Sequence, residues 1–333
     1  MRVGVIGAGR MGVRHLSALK EISEVSTVVV ADAESSRAKE AAERFRFEYA
    51  DNVPALFSIG VDCVVIASST PSHADLVRGA VKVGVPVFCE KPLARTAVES
   101  MRLLGDVNAM GIPLQVGFQR RFDTEFVTIR NAVVSGDLGT LHTLQSCTRD
   151  PAPPTNAYLA SSGGIFRDCS IHDFDVVRWI TGRDVLSVHA TGVNRGLAEF
   201  AGVDDLDTAA ATLTLDGGSL AICTATRING AGYDVRLEVS GSAGTMVAGL
   251  NRKKSEGDDI GLSPIGGYID FFDRFQAAYA AELKAFIVDV VLGSQASSCR
   301  GEDAVEAMVI AEAAELSRRY RREVFVDEVR PPY

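Results

Sequence analysis

Four short runs in the first third of the chain, residues 3–6, 27–31, 63–67 and 85–89, are β-branched and nearly all apolar. Runs without alternation suit strands covered on both faces. Stretches of helical character, 11–20, 35–45, 72–83 and 97–110, separate them, with Ser72 placed to cap the third and Gly84 to end it. A strand–helix–strand rhythm requires crossovers and so predicts a parallel, doubly wound sheet. Residues 114–117 read as its last strand, which makes 1–120 an α/β N-terminal domain of Rossmann type.

Beyond that point the pattern changes. Residues 141–149, 186–194, 208–215, 219–227, 235–241 and 245–250 alternate or are rich in β-branched side chains, without helices between most of them. Asp216-Gly217-Gly218 and Ser242-Ala243-Gly244 separate two pairs of these runs, and Asp-Gly between strands is a hairpin signal. Helices are expected over 124–134, 171–181, 268–292 and 302–320. Residues 150–156, opened by Pro151, Pro153 and Pro154, are the least regular stretch. Residues 121–333 therefore predict an α+β domain with a large, mostly antiparallel open sheet.

Composition narrows the classes of function. The 333 residues are 47% hydrophobic and 23% charged, as in ordinary globular proteins. Lys+Arg 34 against Asp+Glu 43 gives a formal charge of -9, which argues against nucleic acid or an anionic membrane as the main partner. No apolar run approaches the roughly 18 residues that span a bilayer. The stretch after Arg2 is too short for a secretion signal. The six cysteines are scattered, with no C-x-x-C pair, so neither a disulfide framework nor a metal site is expected, and a reducing cytoplasm is.

Gly7-Ala8-Gly9-Arg10-Met11-Gly12 follows the first strand and opens the first helix. In that context G-x-G-x-x-G is a dinucleotide fingerprint: Gly7 for the tight turn, Gly9 for approach of a pyrophosphate, Gly12 for helix–strand packing. The helix N-terminus supplies N–H groups to the anion. Asp32 ends the second strand, at the roughly 20-residue interval where an acid binds ribose hydroxyls. A carboxylate there repels a 2′-phosphate and favours NAD, while Ser35, Ser36 and Arg37 just beyond leave NADP as the alternative.

Two further segments carry chemistry. Glu90-Lys91-Pro92 closes a strand at the carboxyl edge of the sheet, where a lysine donates to a substrate oxygen. Later, Asp168 and His172 are four apart, which would set a carboxylate and an imidazole on one helical face as an acid/base pair. These residues, with Gly7–Gly12 and Ser69-Thr70-Pro71-Ser72-His73, resemble the Gfo/Idh/MocA oxidoreductases over essentially the whole chain. The stretch 146–154, with Gly163-Gly164-Ile165-Phe166 and Ile171-His172-Asp173-Phe174-Asp175, is similar to the inositol 2-dehydrogenase branch. Cys169-Ser170 departs from the Met-Thr of many such enzymes.

The resemblance implies an NAD-dependent dehydrogenase that moves a hydride from a secondary hydroxyl of a cyclitol, myo-inositol first, to nicotinamide. His172 takes the hydroxyl proton, Asp168 orients it, and Lys91 bonds the reacting oxygen. Ser69, Thr70, His73, Glu90 and Gln119 are implied on the cofactor side, beside Arg10 and Met11. Arg120, Asp150, Ser170, Tyr233 and Tyr279 are implied around the polyol, with Asp150, Asp168 and Asp173 as an acidic wall suited to a neutral substrate. It further implies a cis Lys91–Pro92 peptide and a homotetramer or homodimer built on the open sheet. The competing readings are a sugar or amino-cyclitol dehydrogenase or ketosugar reductase using NAD(P), and a non-catalytic NAD-binding regulator.

Overall fold

The structure, a computed structural model, describes residues 1–195, 197–250 and 267–332. The chain forms two compact units, one of Met1–Gln119 with Ala277–Val305 and one of Arg120–Gln276 with Glu306–Pro332.

In the first unit the chain runs β1 (Arg2–Ile6), α1 (Arg10–Leu19), β2 (Thr27–Ala31), α2 (Ser35–Phe45), β3 (Glu48–Tyr49), α3 (Val53–Ile59), β4 (Cys63–Ile66), α4 (Thr70–Lys82), β5 (Val87–Glu90), α5 (Ala97–Met110) and β6 (Leu114–Gly117). Its six strands lie in the order β3-β2-β1-β4-β5-β6, all parallel. β4, β5 and β6 are buried along their whole length; β4 is apolar throughout, while β5 and β6 each bury one polar side chain, Glu90 and Gln115. The order reverses beside β1 and β4, and the crevice at the carboxyl ends of such strands is where open α/β sheets take ligands. The short β3 and α3 carry too weak a pattern to be read from sequence.

Residues 277–305 rejoin this unit, a return that the change of pattern near residue 120 does not disclose. Leu283, Phe286, Ile287 and Val290 enter the core that holds Val3, Val5, Leu16, Val28, Val30 and Phe88. The edge strand β6 gains backbone partners from the same segment: Val116 N–H donates to the Cys299 carbonyl at 2.9 Å, and Gln115 Nε2 to that of Glu282 at 3.1 Å. An exposed parallel edge would otherwise leave such groups unpaired.

The second unit contains α6 (Thr124–Ser135), β7 (Leu141–Arg149), α7 (Asn156–Ser162), α8 (Ile171–Thr181), β8 (Val185–Val193), α9 (Ala198–Ala201), β9 (Thr208–Leu215), β10 (Leu220–Thr226), β11 (Asp234–Gly241) and β12 (Gly244–Ala248). α10 (Phe271–Ala285) and α11 (Gly301–Tyr320) follow, then β13 (Val324–Phe325). Among the described residues the sheet has seven strands, ordered β12-β11-β7-β10-β9-β8-β13. Only β7 and β10 pair in parallel; the rest is antiparallel. The Asp216-Gly217-Gly218 turn joins β9 to β10, with Gly217 and Gly218 at φ +83° and +91°. Alternation sorts the faces: Ala221, Cys223 and Ala225 are buried, while Leu220 and Ile222 face outward. α8 lies against β7 and β10.

Candidate active site

In the first unit, Gly7 turns the chain at the end of β1, with φ +102° and its N–H bonded to the Ala31 carbonyl at 2.8 Å. A Cβ there would lie 2.6 Å from the Ser68 backbone nitrogen, and one at Gly12 only 1.8 Å from the Gly7 oxygen. At Gly9 the added carbon would meet nothing within 4 Å. Two glycines thus close the turn and the third leaves room beside it. α1 starts from Gly9 with no side chain capping its N–H groups, which suits a pyrophosphate. Arg10 is exposed and Met11 half-buried in its first turn.

Asp32 stands next to this cradle. Its Oδ2 accepts the Ala8 N–H at 2.7 Å, and its Oδ1 accepts from Glu34 N–H at 2.9 Å and Arg37 Nη1 at 3.0 Å. Arg37 also reaches Glu34 at 2.6 Å, so its charge is matched by two carboxylates. These residues fit a dinucleotide with a diol at the ribose.

Ser69 occupies the N-cap position of α4 without a side-chain capping bond, three residues earlier than Ser72. Pro71 explains the shift, because its fixed φ suits a first helical turn. Ser72 instead donates to the Ser69 carbonyl at 2.8 Å. Thr70 is the first residue of α4, and Gln119 is buried just beyond β6. His73 is interior, 1% exposed, with Nδ1 at 2.8 Å from the Pro92 carbonyl and Nε2 at 3.2 Å from that of Ser68. Burial, outweighing these carbonyls, holds its pKa below the usual histidine value. Lys91–Pro92 is cis, as the resemblance implies. His73 therefore fixes the turn that carries Lys91.

Glu90 points inward as well. Its Oε1 lies 2.6 Å from Nε2 of His15, a residue of α1 that sequence reasoning overlooked. The His15 ring meets Phe88 edge-on at 5.4 Å and Tyr279 at 6.3 Å. Tyr279, expected around the polyol, belongs to the segment that packs in the first unit.

The second unit assembles the other candidates at the ends of β7 and β10, where Arg149 and Thr226 pair. Asp168 does not open α8: it lies in a π turn, Phe166–Ser170, that runs into α8 at Ile171. Its Oδ1 accepts from the Tyr158 hydroxyl at 2.7 Å and its Oδ2 from Arg227 Nη1 at 2.9 Å. Asp150 Oδ2 is 3.5 Å from Cys169 Sγ, Ser170 is buried, and His172 is half-buried in the first turn of α8. Tyr233 is 4% exposed and lies close enough to Arg120 for the two to interact electrostatically. Burial first, and then Asp150 and Asp173 against the opposing Arg120, push its phenol well above the usual tyrosine range.

The acidic wall needs correction. Asp173 is fully buried, accepting from Arg120 Nη1 at 2.6 Å, Ser146 Oγ at 2.5 Å and Thr148 Oγ1 at 2.9 Å. Arg120 is itself 1% exposed, and the next residue, Arg121, pairs with Asp175 at 2.5 Å. Consecutive arginines leaving β6 thus pin the first turn of α8 on either side of Phe174. A buried carboxylate without a cation is costly, which is why Asp173 faces inward only with Arg120. Among the described residues no group of acidic, histidine and cysteine side chains is arranged to hold a metal, and no helix is long and apolar enough to cross a membrane.

A doubly wound sheet with a glycine cradle, followed by an open antiparallel sheet bearing an Asp–His segment, defines a dinucleotide-binding oxidoreductase architecture. Residues 1–118 match the oxidoreductase family with NAD-binding Rossmann fold, and 126–247 the GFO/IDH/MocA C-terminal domain. The chain belongs to the GFO/IDH/MocA oxidoreductase family. It is 36% identical to a myo-inositol 2-dehydrogenase of Thermotoga maritima over 99% of both chains. It is 35% identical to YrbE, an uncharacterized oxidoreductase of Bacillus subtilis, over 97% of this chain and 96% of that one. A scyllo-inositol dehydrogenase from Lactobacillus casei, solved with NAD(H) and scyllo-inositol bound, superposes with a TM-score of 0.88 at 27% identity, covering 98% of this chain and 99% of that one.

Proposed function

We propose that this chain is an NAD-dependent dehydrogenase of a cyclitol, with myo-inositol oxidised at one ring hydroxyl to the ketone as the leading reaction. The observation that carries this reading is the likeness to a myo-inositol 2-dehydrogenase along the full length of both chains, 36% identical over 99% of each. Bound NAD supplies the hydride acceptor. On this reading Gly7, Gly9 and Gly12 cradle the pyrophosphate and Asp32 takes the ribose diol. Arg37, already matched by Asp32 and Glu34, favours NAD over NADP. His172 accepts the hydroxyl proton as hydride leaves the carbinol carbon, and Asp168 orients it. Lys91 donates to the reacting oxygen and stabilises the negative charge that develops there.

The test is a panel of inositols, sugars, amino-cyclitols and sugar acids offered with NAD or NADP and followed at the NADH absorbance. Myo-inositol or a close isomer with NAD should give the highest kcat/KM. A sugar acid as the sole substrate, or a preference for NADP, would overturn the assignment.

The same reading includes self-association. The outward face of the second sheet exposes Leu186, Val193, Leu220, Ile222 and Val247, at 40–51% each. An exposed apolar face of this kind marks an interaction site, and a second copy of the chain is the proposed cover. Light scattering at micromolar concentration should give a multiple of 35.5 kDa, with the tetramer expected; the monomer mass would exclude it.

A further inference from the structure

Asp168 is one end of a chain of charges in the second unit. Arg227 donates Nη1 to Asp168 at 2.9 Å and Nη2 to Asp205 Oδ2 at 3.1 Å, and is itself 1% exposed. The other oxygen of Asp205 accepts the N–H groups of Ile165 and Leu206 at 2.9 and 2.8 Å. Asp205 therefore grips both the guanidinium and the backbone that enters the π turn. Arg227 is held in its turn by β10, which it follows, and by its own N–H, which donates to the Asp207 carbonyl at 2.8 Å.

We propose that Arg227 is a positioning residue for the dehydrogenase reaction: it shares its charge between Asp205 and Asp168, so that Asp168 orients His172 without drawing it into the protonated form. This rests on the reading of His172 as the base. A carboxylate near an imidazole favours the imidazolium, and a cation on that carboxylate works the other way. A base that must take the hydroxyl proton is useful only while neutral. Asp168 with a matching arginine gives orientation and neutrality together.

The groups around Asp168 are consistent with that balance. From α7, Tyr158, an exposed residue, donates its hydroxyl to Asp168 at 2.7 Å. From the end of β10 comes Arg227, with Asp205 behind it. On the π turn itself, Cys169 faces Asp150 at 3.5 Å, and Arg167 reaches Glu312 of α11 at 3.9 Å. Arg227 bonds Asp168 directly, at 2.9 Å.

The experiment follows the His172 ring resonance by NMR in the NAD-bound full chain, assigned by its loss in His172→Ala, alongside the pH profile of kcat/KM. Arg227→Met should raise the His172 midpoint and the acidic limb of the profile by about one pH unit, and Arg227→Lys should restore much of the shift. Asp205→Asn keeps the backbone acceptor and leaves Arg227 wholly to Asp168, so it should move the midpoint the other way. That variant decides the matter even if Arg227→Met does not fold. Loss of activity at every pH with an unmoved midpoint in Asp205→Asn and in any foldable Arg227 variant overturns the proposal. If His172→Ala turns over at the wild-type rate, the base assignment beneath it fails instead.

Discussion

Replacing His172 by alanine should lower the rate of cyclitol oxidation by roughly 10²–10⁴-fold, the usual contribution of a positioned general base. NAD affinity, measured by fluorescence titration, should stay near the wild-type value, because the glycine cradle and Asp32 belong to the first unit and His172 to the second. The loss should fall on kcat more than on KM, since the proton moves only in the transition state. Lys91→Met tests the complementary role. On the proposed reading its charge meets an oxygen that becomes more negative as hydride leaves, so its removal should also cut kcat, by about 10²–10³-fold if it acts as oxyanion-hole donors do. Lys91 follows a strand buried to its last residue and precedes Pro92, whose carbonyl His73 holds, which is the kind of rigid mounting such a donor needs. An unchanged rate in His172→Ala would remove it from the mechanism, whatever the substrate.

The first unit was legible because its signals are local. Unbroken apolar runs gave strands covered on both faces, and the glycine spacing gave a turn in which a Cβ at Gly12 would collide with Gly7. The second unit was legible as a sheet, since alternation and the Asp216-Gly217 turn are local too. Its polar interior was not. Asp173 is expected on the acidic wall of a polyol pocket, and Asp175 has no expected partner, until the arginines some 53 and 54 residues earlier are brought onto them. Arg227 and Asp205 show no motif at all: the antiparallel pairing of β9 and β10 brings them together, and Asp168 joins them from a turn 59 residues earlier than Arg227. Buried charge pairs of high sequence separation are the part of such a site that composition and spacing leave dark. The inward turn of His73 and Glu90 has the same origin: each sits in a segment whose pattern marks it as a loop or strand end, and only packing shows which way the side chain goes.

Arg120 is where the two kinds of reading lead to different measurements. As a polyol contact, Arg120→Met would raise KM and leave the fold alone. As the partner of a carboxylate that is 0% exposed, it should do the reverse. Asp173 would keep Ser146 and Thr148 as donors but lose the one cation it bonds, and breaking a buried pair from one side typically costs about 3–5 kcal/mol. We expect Arg120→Met to lower the thermal midpoint of the NAD-free chain by several degrees and to disturb kcat only through looser anchoring of α8. The double variant Arg120→Met/Asp173→Leu separates the causes. It removes both charges at once, so it should recover most of the stability lost by the single variant, because an apolar pair of similar volume avoids the desolvation penalty altogether. If the double variant is no more stable than Arg120→Met, the loss reflects packing of the Arg120 stem, whose guanidinium lies 6.0 Å from the Phe275 ring centre, rather than the stranded charge. If Arg120→Met is as stable as wild type with a raised KM for the polyol, the guanidinium leaves Asp173 when substrate binds, and Arg120 is a substrate contact after all.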